Sequence, residues 1–190
     1  MKIRPIILAS GYSKRFGENK LLYTINKKPM IFYIMHELSN LARANIVQTP
    51  YVVTQYEEIS NLAKEMNFHA LWNESAEKGI CESIKLGVLE DNDSDAYMFF
   101  TGDQPYIKAE VISSFISAYL MSKKELGCVI YNLTWYSPTI FSKKYRNELL
   151  SLKGDIGGKR ILKSSPDDVF LFNVDFKSVK DIDTKTDLES

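Results

Sequence analysis

The sequence predicts an α/β protein built on a mostly parallel sheet. Three observations predict it. Short β-branched or aromatic runs alternate with stretches of helical periodicity, and the strand and helix signals interleave instead of forming separate blocks. With 45% hydrophobic and 12% aromatic residues, the chain also has the apolar mass for a packed core. In chain order, Ile3–Leu8 is the first strand; Pro5 lacks a ladder donor, so the paired part is expected after it. Pro29–Ala42 is a helix whose opening proline suits a first turn. Ile46–Thr54 is a strand, Glu57–Met66 a helix, Phe68–Trp72 a strand and Gly79–Glu90 a helix. Ala96–Thr101, with the consecutive apolar or aromatic residues Tyr97 to Phe100, reads as a strand buried on both faces. Lys108–Ser122 is a helix, Gly127–Tyr131 a strand, Ser142–Leu152 a helix and Val169–Val174 the last strand. Asp91–Asp95, "DNDSD", reads as a solvated loop.

A length of 190 residues fits one domain spanning 1–190. The 24 basic and 24 acidic residues cancel, which argues against a nucleic-acid partner, because affinity for a phosphate backbone needs uncompensated cations. No run of about 20 apolar residues and no export signal is seen, so no membrane partner is expected and the cytoplasm is the default. Cys81 and Cys128 lack CxxC spacing, and His36 and His69 are the only histidines, so sequence-near zinc ligation is not expected.

"IILASGYSKRFGENKLL" sets a strand against a charged, glycine-bearing loop. Ligands of open α/β sheets bind at the carboxyl ends of strands, and this loop lies at such an end. Gly11 and Gly17 free the backbone to turn its amides toward an anion, Ser13 adds a hydroxyl, and Arg15 and Lys20 add full charges. The set suits an extended polyphosphate, although a surface loop with solvated charges is the competing reading. A dinucleotide GxGxxG would need glycine where Tyr12 or Ser13 stands, and a P-loop would need lysine where Glu18 stands. "YMFFTGDQP" delivers Asp103 just beyond a buried strand. A carboxylate facing phosphates needs a bridging hard cation such as Mg²⁺; as the start of a Gly102–Pro105 turn it would need none. Glu77–Ser83 lies at another carboxyl-end turn. In "DIDTKTDL", Thr184 and Asp187 resemble a helix-opening cap. "KGDIGGKR" again concentrates glycine and charge, so Lys153, Asp155, Lys159 and Arg160 are candidates for a second anion or for a solvated loop.

"LASGYSKRFGENKLL" resembles the signature loop of the molybdenum cofactor cytidylyltransferases, the MobA/MocA-like nucleotidyltransferases. "EKGICESIKLGV", "FTGDQP", "LLSLKGDIGGKRIL" and "DIDTKTDL" resemble later blocks of that family in the same order. The resemblance implies a three-layer sandwich with a Rossmann-like sheet of the nucleotide-diphospho-sugar transferase type. It implies that Leu8, Ala9, Ser10, Gly11, Ser13, Arg15 and Lys20 bind the nucleotide, together with Asn73, Gly79, Ser83 and Asp103. Arg15, Lys20 and Asp103 become the catalytic set, and Asp103 with Asp183 the Mg²⁺ ligands, Asp181 being the alternative to Asp183. Ala9-Ser10-Gly11, Ser13 and Asn19 follow the cytidylyl pattern, which favours CTP over GTP. The implied acceptor is molybdopterin, and a molybdenum hydroxylase apoenzyme is an implied protein partner. Where such cytidylyltransferases commonly carry Gly-His-Pro, this chain has Tyr136-Ser137-Pro138, which leaves the acceptor open. A sugar or alcohol phosphate acceptor, GTP as donor, or a non-catalytic maturation partner remain alternatives.

Overall fold

The computed structural model describes residues 1–188. The elements are β1 (Ile3–Ala9), β2 (Thr24–Ile25), β3 (Lys28–Pro29), α1 (Met30–Arg43), β4 (Tyr51–Thr54), α2 (Glu57–Glu65), β5 (His69–Trp72), α3 (Ile80–Glu90), β6 (Ala96–Thr101), α4 (Ala109–Ser122), β7 (Leu126–Tyr131), β8 (Thr134–Ser142), α5 (Arg146–Leu150), α6 (Lys159–Ser164), β9 (Val169–Asn173) and α7 (Phe176–Val179). Seven strands form one sheet in the order β5-β4-β1-β6-β8-β7-β9, and β2 and β3 make a separate small hairpin. β1 pairs parallel with β4 and β6, β4 with β5, and β7 with β9; β8 runs antiparallel between β6 and β7. The expected mostly parallel α/β sheet is therefore present.

The alternation of side chains along a strand explains the three layers. Ile3 and Ile7 of β1 face a core shared with Ile34 and Leu38 of α1, Ile59 of α2 and Phe115 of α4. Ile6 faces the opposite core, with Ile84 and Val88 of α3, Leu149 of α5 and Leu162 of α6. Helix α3 lies close against β1 because Gly87 has no side chain: a Cβ there would sit 2.7 Å from the Ile6 methyl Cγ2. That approach aims the start of α3 at the carboxyl rim of the sheet. No helix among the described residues is long and apolar enough to cross a membrane.

Four expectations need correction. Pro5 lies inside β1, which pairs with β6 from Ile3 to Leu8 but with β4 only from Ile6. The Ile3 carbonyl accepts from Gln48 N at 2.9 Å, so two-residue alternation turns the Pro5 nitrogen to that same side, ahead of the β4 ladder. The run Thr134–Ser142 is an additional strand, β8, and Ser142 ends it instead of opening a helix. The helix expected over Ser142–Leu152 shrinks to a 3₁₀ turn, Lys143–Tyr145, followed by α5. Asp91 is not solvated: it is 2% exposed and pairs with the buried Arg4, because a guanidinium inside β1 requires a counter-charge.

Candidate functional site

Three chain segments meet at the carboxyl ends of β1 and β6. The first is the loop after β1. Gly17 adopts a φ of 82°, the left-handed region that glycine tolerates, and the Ser13 carbonyl accepts from Phe16 N at 2.9 Å to close the turn. The Ser13 hydroxyl accepts from Lys20 N at 3.2 Å, and the Asn19 carboxamide caps Leu21 N at 3.1 Å. Those two bonds fix the backbone that carries Lys20. From the β4 side, Gln55 Nε2 donates to the Ser10 carbonyl at 2.7 Å, and the Tyr56 hydroxyl donates to the Gly11 carbonyl at 2.8 Å. Gln55 and Tyr56 were missed in the sequence, although both follow a strand at the same rim and the carboxyl-end rule could have found them.

The second segment is the exit of β6, which carries Asp103. The third is the stretch before the C-terminus, tied to the second by a bond from Ile182 N to the Asp103 carbonyl at 3.0 Å. Ile182 is fully buried against Phe16 of the first loop and Met30 of α1. Burying a side chain of that size contributes about 1.5–3 kcal/mol, so this small cluster anchors the last segment beneath the cleft. The expected capping arrangement is also present, with Asp187 in the capping role. Its carboxylate accepts from Asp183 N at 3.0 Å and Thr184 N at 2.7 Å. The Asp183 side chain is thereby left to face the first loop.

The convergence of charge is direct. Lys20 Nζ lies 2.6 Å from Asp103 Oδ2 and 2.8 Å from Asp183 Oδ1, and Arg15 reaches Asp183 Oδ2 at 2.8 Å. Burial alone would lower the Lys20 pKa, but Asp103 and Asp183 more than offset it and hold the ammonium above its ordinary range. The hydrogen bond from Lys20, aided by the Arg15 charge, holds Asp183 below the usual carboxylate range. Asp181 keeps a solvent-facing edge, yet lost hydration and then the charge of Asp103 push its carboxyl up to about 6. Asp103 Oδ1 is buried with no hydrogen-bond partner. An orphaned carboxylate oxygen beside a second carboxylate fits a hard divalent cation, which takes one or two carboxylates and completes its shell with phosphate oxygens and water. No group of three or more His, Cys, Asp or Glu side chains that could hold a metal occurs among the described residues, which fits an ion held by two carboxylates with phosphate oxygens and water.

The cleft has a volume of about 850 Å³, and the sequence-predicted residues Leu8, Ser10, Gly11, Ser13, Arg15, Lys20, Gly79, Ser83, Asp103 and Asp183 line it. Thr101 and Asp155 also line it, and the Thr101 hydroxyl is buried without a partner. Ala9 does not reach the cleft: it is fully buried in the core and its carbonyl accepts from the Thr54 hydroxyl at 3.1 Å. Asn73 stands behind the wall, donating to Ser83 Oγ at 3.0 Å and Ser10 Oγ at 3.3 Å and accepting from Ser75 N at 3.0 Å. Ser10 Oγ in turn donates to the Val53 carbonyl at 3.1 Å. Ser83 lines the cleft while its hydroxyl oxygen is held from behind by Asn73.

The start of α3 is closed by the loop at Gly154. Ile80 N donates to the Asp155 carboxylate and Cys81 N to the Gly154 carbonyl, each at 3.4 Å, so these first amides do not point into the cleft. Gly79, at φ 105°, has no room for a Cβ, which would collide with the Gly154 carbonyl. Lys153 and Arg160 are exposed and lie outside the cleft wall, and the Lys159 ammonium sits 5.8 Å from the centre of the Tyr136 ring. Ser137 is occupied structurally: its hydroxyl accepts from Thr101 N and donates to the Phe99 carbonyl, both at 3.2 Å, clamping β8 to the exit of β6.

Comparison with known proteins identifies the family and agrees with the fold. A probable molybdenum cofactor guanylyltransferase of Pyrococcus horikoshii is 28% identical over 132 residues, covering 68% of this chain and 62% of that relative. The chain thus matches under two thirds of that relative's length. A probable molybdenum cofactor guanylyltransferase of Thermococcus sibiricus is 25% identical over 173 residues, covering 85% of this chain and 81% of the relative. Among solved structures, Rv0371c of Mycobacterium tuberculosis superposes with a TM-score of 0.80 at 21% identity, covering 100% of this chain and 97% of the other; Rv0371c has also been solved in complex with manganese. The model of the MobA-like NTP transferase domain matches residues 5–169, and the chain belongs to that family.

Proposed function

We infer that this chain is a nucleotidyltransferase that moves a nucleoside monophosphate from a nucleoside triphosphate to a phosphorylated small-molecule acceptor. The observation that carries the reading is the meeting of Lys20, Arg15, Asp103 and Asp183 in one cleft at the carboxyl rim of the sheet. A triphosphate there would exchange solvent for two cations and the loop between Ser10 and Lys20. An acceptor phosphate oxygen attacks the α-phosphorus in line, the bond to the β-phosphate breaks, and pyrophosphate leaves with the electron pair. Lys20 and Arg15 offset charge on the departing pyrophosphate, and Ser83 donates its hydroxyl to the nucleoside. Asp103 and Asp183 would hold a divalent cation, which when bound neutralises phosphate charge and polarises the phosphoryl group; Mg²⁺ is our choice, and the manganese bound to Rv0371c supports the class of ion.

Molybdopterin is the acceptor that the relatives' names favour. Those names speak of guanylyl transfer, so they do not support the CTP preference read from Ala9-Ser10-Gly11; GTP and CTP are both donors to be tested. Tyr136 beside Lys159 on the acceptor side favours a second reading, in which the acceptor is another phosphate ester. Pyrophosphate release measured with GTP and CTP, each against molybdopterin, sugar phosphates and alcohol phosphates, separates these readings. Release with one donor and one acceptor, dependent on added Mg²⁺, is expected. No release with any pair, while nucleotide still binds, would replace catalysis by a binding role.

A further inference from the structure

Lys20 stands between the two carboxylates that would hold the divalent ion, 2.6 Å from one and 2.8 Å from the other. Its side chain is 14% exposed, so this is not a casual surface contact. Asp183 spends its second oxygen on Arg15, while Asp103 keeps one oxygen buried and unpartnered. The four groups sum to zero charge: two carboxylates against one ammonium and one guanidinium. Asp181 adds a nearby carboxyl that feels the charge of Asp103, but a free divalent cation arriving here finds Asp103 Oδ2 and both Asp183 oxygens already paired and faces the ammonium at the point between the two carboxylates. A triphosphate changes the balance. Its oxygens offer Lys20 and Arg15 alternative anionic partners, and each cation drawn to them uncovers a carboxylate oxygen.

The geometry points to Lys20 as a resident place-holder cation, so that the chain takes its divalent ion together with the triphosphate and not beforehand. The substrate is then the metal–nucleotide complex, and Lys20 has two successive positions: between Asp103 and Asp183 in the free protein, and on phosphate in the loaded one. This deepens the reading of the cleft as a nucleotide site and rests on it. A mobile side chain on an anchored backbone makes the exchange feasible. Lysine carries its charge on a flexible four-carbon stem, whereas the Lys20 backbone is held by Ser13 Oγ and the adjoining turn by Asn19. The ammonium can therefore swing without moving the loop.

Mn²⁺ binding followed by electron paramagnetic resonance tests this on the full chain, as wild type, Lys20→Met and Lys20→Arg, with and without the α,β-methylene analogues of GTP and CTP. Without nucleotide, wild type and Lys20→Arg should bind Mn²⁺ weakly, and Lys20→Met at least about tenfold more tightly, since a divalent ion gains by losing a unit like charge a few ångströms away. With one of the analogues, wild type should bind Mn²⁺ at least about tenfold more tightly than alone. Equal Mn²⁺ affinity of nucleotide-free wild type and Lys20→Met, with circular dichroism showing both folded, overturns the place-holder role while leaving the nucleotide reading intact. Tight binding by Lys20→Arg without nucleotide overturns it as well, because the charge is then not what excludes the ion. If neither analogue tightens Mn²⁺ binding to wild type, the nucleotide reading falls, and the inference with it.

Discussion

At the amino end of β1, Arg4 meets Asp91 in the protein interior; beyond its carboxyl end, Lys20 meets Asp103 and Asp183 in an open cleft. The inner pair is fully provided for. Arg4 also donates to the Thr49 carbonyl at 2.6 Å and lies 4.5 Å from the centre of the Tyr51 ring, while Asp91 Oδ1 accepts from Asp93 N. The outer group is incomplete: one Asp103 oxygen has no partner, and Arg15 keeps three quarters of its side chain in solvent. The difference teaches how to sort charge clusters. A pair whose donors and acceptors are all satisfied by the protein holds the fold, and one that leaves an oxygen buried and unpaired is waiting for something from outside.

The largest effect expected is at the inner pair. Asp91→Ala leaves a buried guanidinium uncompensated and should cost about 3–5 kcal/mol of stability in denaturant unfolding, with turnover per folded molecule retained. Loss of turnover without loss of stability would break the comparison. At the outer group, Asp103→Ala should lower turnover by roughly 10²–10³, equivalent to about 2.7–4 kcal/mol of transition-state stabilisation, with the unfolding midpoint nearly unmoved. A stability loss matching that of Asp91→Ala would assign the cleft a structural role. Between these extremes stands Asn73, buried but facing the back of the site. Asn73→Ala strips Ser10 and Ser83 of a shared donor and should cost about 1–3 kcal/mol, together with a raised nucleotide KM at nearly constant kcat. A kcat loss alone would move Asn73 into the chemistry.

The smallest effect belongs to a surface carboxylate. The Tyr145 hydroxyl, 2.7 Å away, and then Lys144 hold Asp168 below the ordinary value of 3.8. A folded-state pKa below the unfolded one gives stability that is present above the unfolded value and lost as pH falls through the folded one. Asp168→Asn should therefore flatten the stability profile only below about pH 4, by at most about 1 kcal/mol because the pair is solvent-screened. A stability difference from wild type that is absent at neutral pH and grows on acidification would contradict that sign.

Much of this was legible in the sequence because it was local. The alternation of strand and helix, the glycine loop at the exit of β1 and Asp103 at the exit of β6 are all short-range signals. What escaped was pairing across distance. Asp91 looked solvated because its partner lies 87 residues earlier, and Asp183, 163 residues after Lys20, entered only through the family resemblance and not through any local signal. Strand β8 escaped for another reason: Pro138 interrupts it, and its first half, Thr134–Ser137, is only partly buried, so neither alternation nor a continuous apolar run marks it. The loop's resemblance to cytidylyltransferases did not foretell relatives named for guanylyl transfer.

The close approach of Gly79 to Gly154, with Asp155 on the Ile80 amide, joins the start of α3 to the 153–158 loop mechanically. Grafting a foreign 153–158 loop would therefore disturb the start of α3 as well. Redesigning that loop means re-measuring whatever the cleft wall at Gly79 and Ser83 binds.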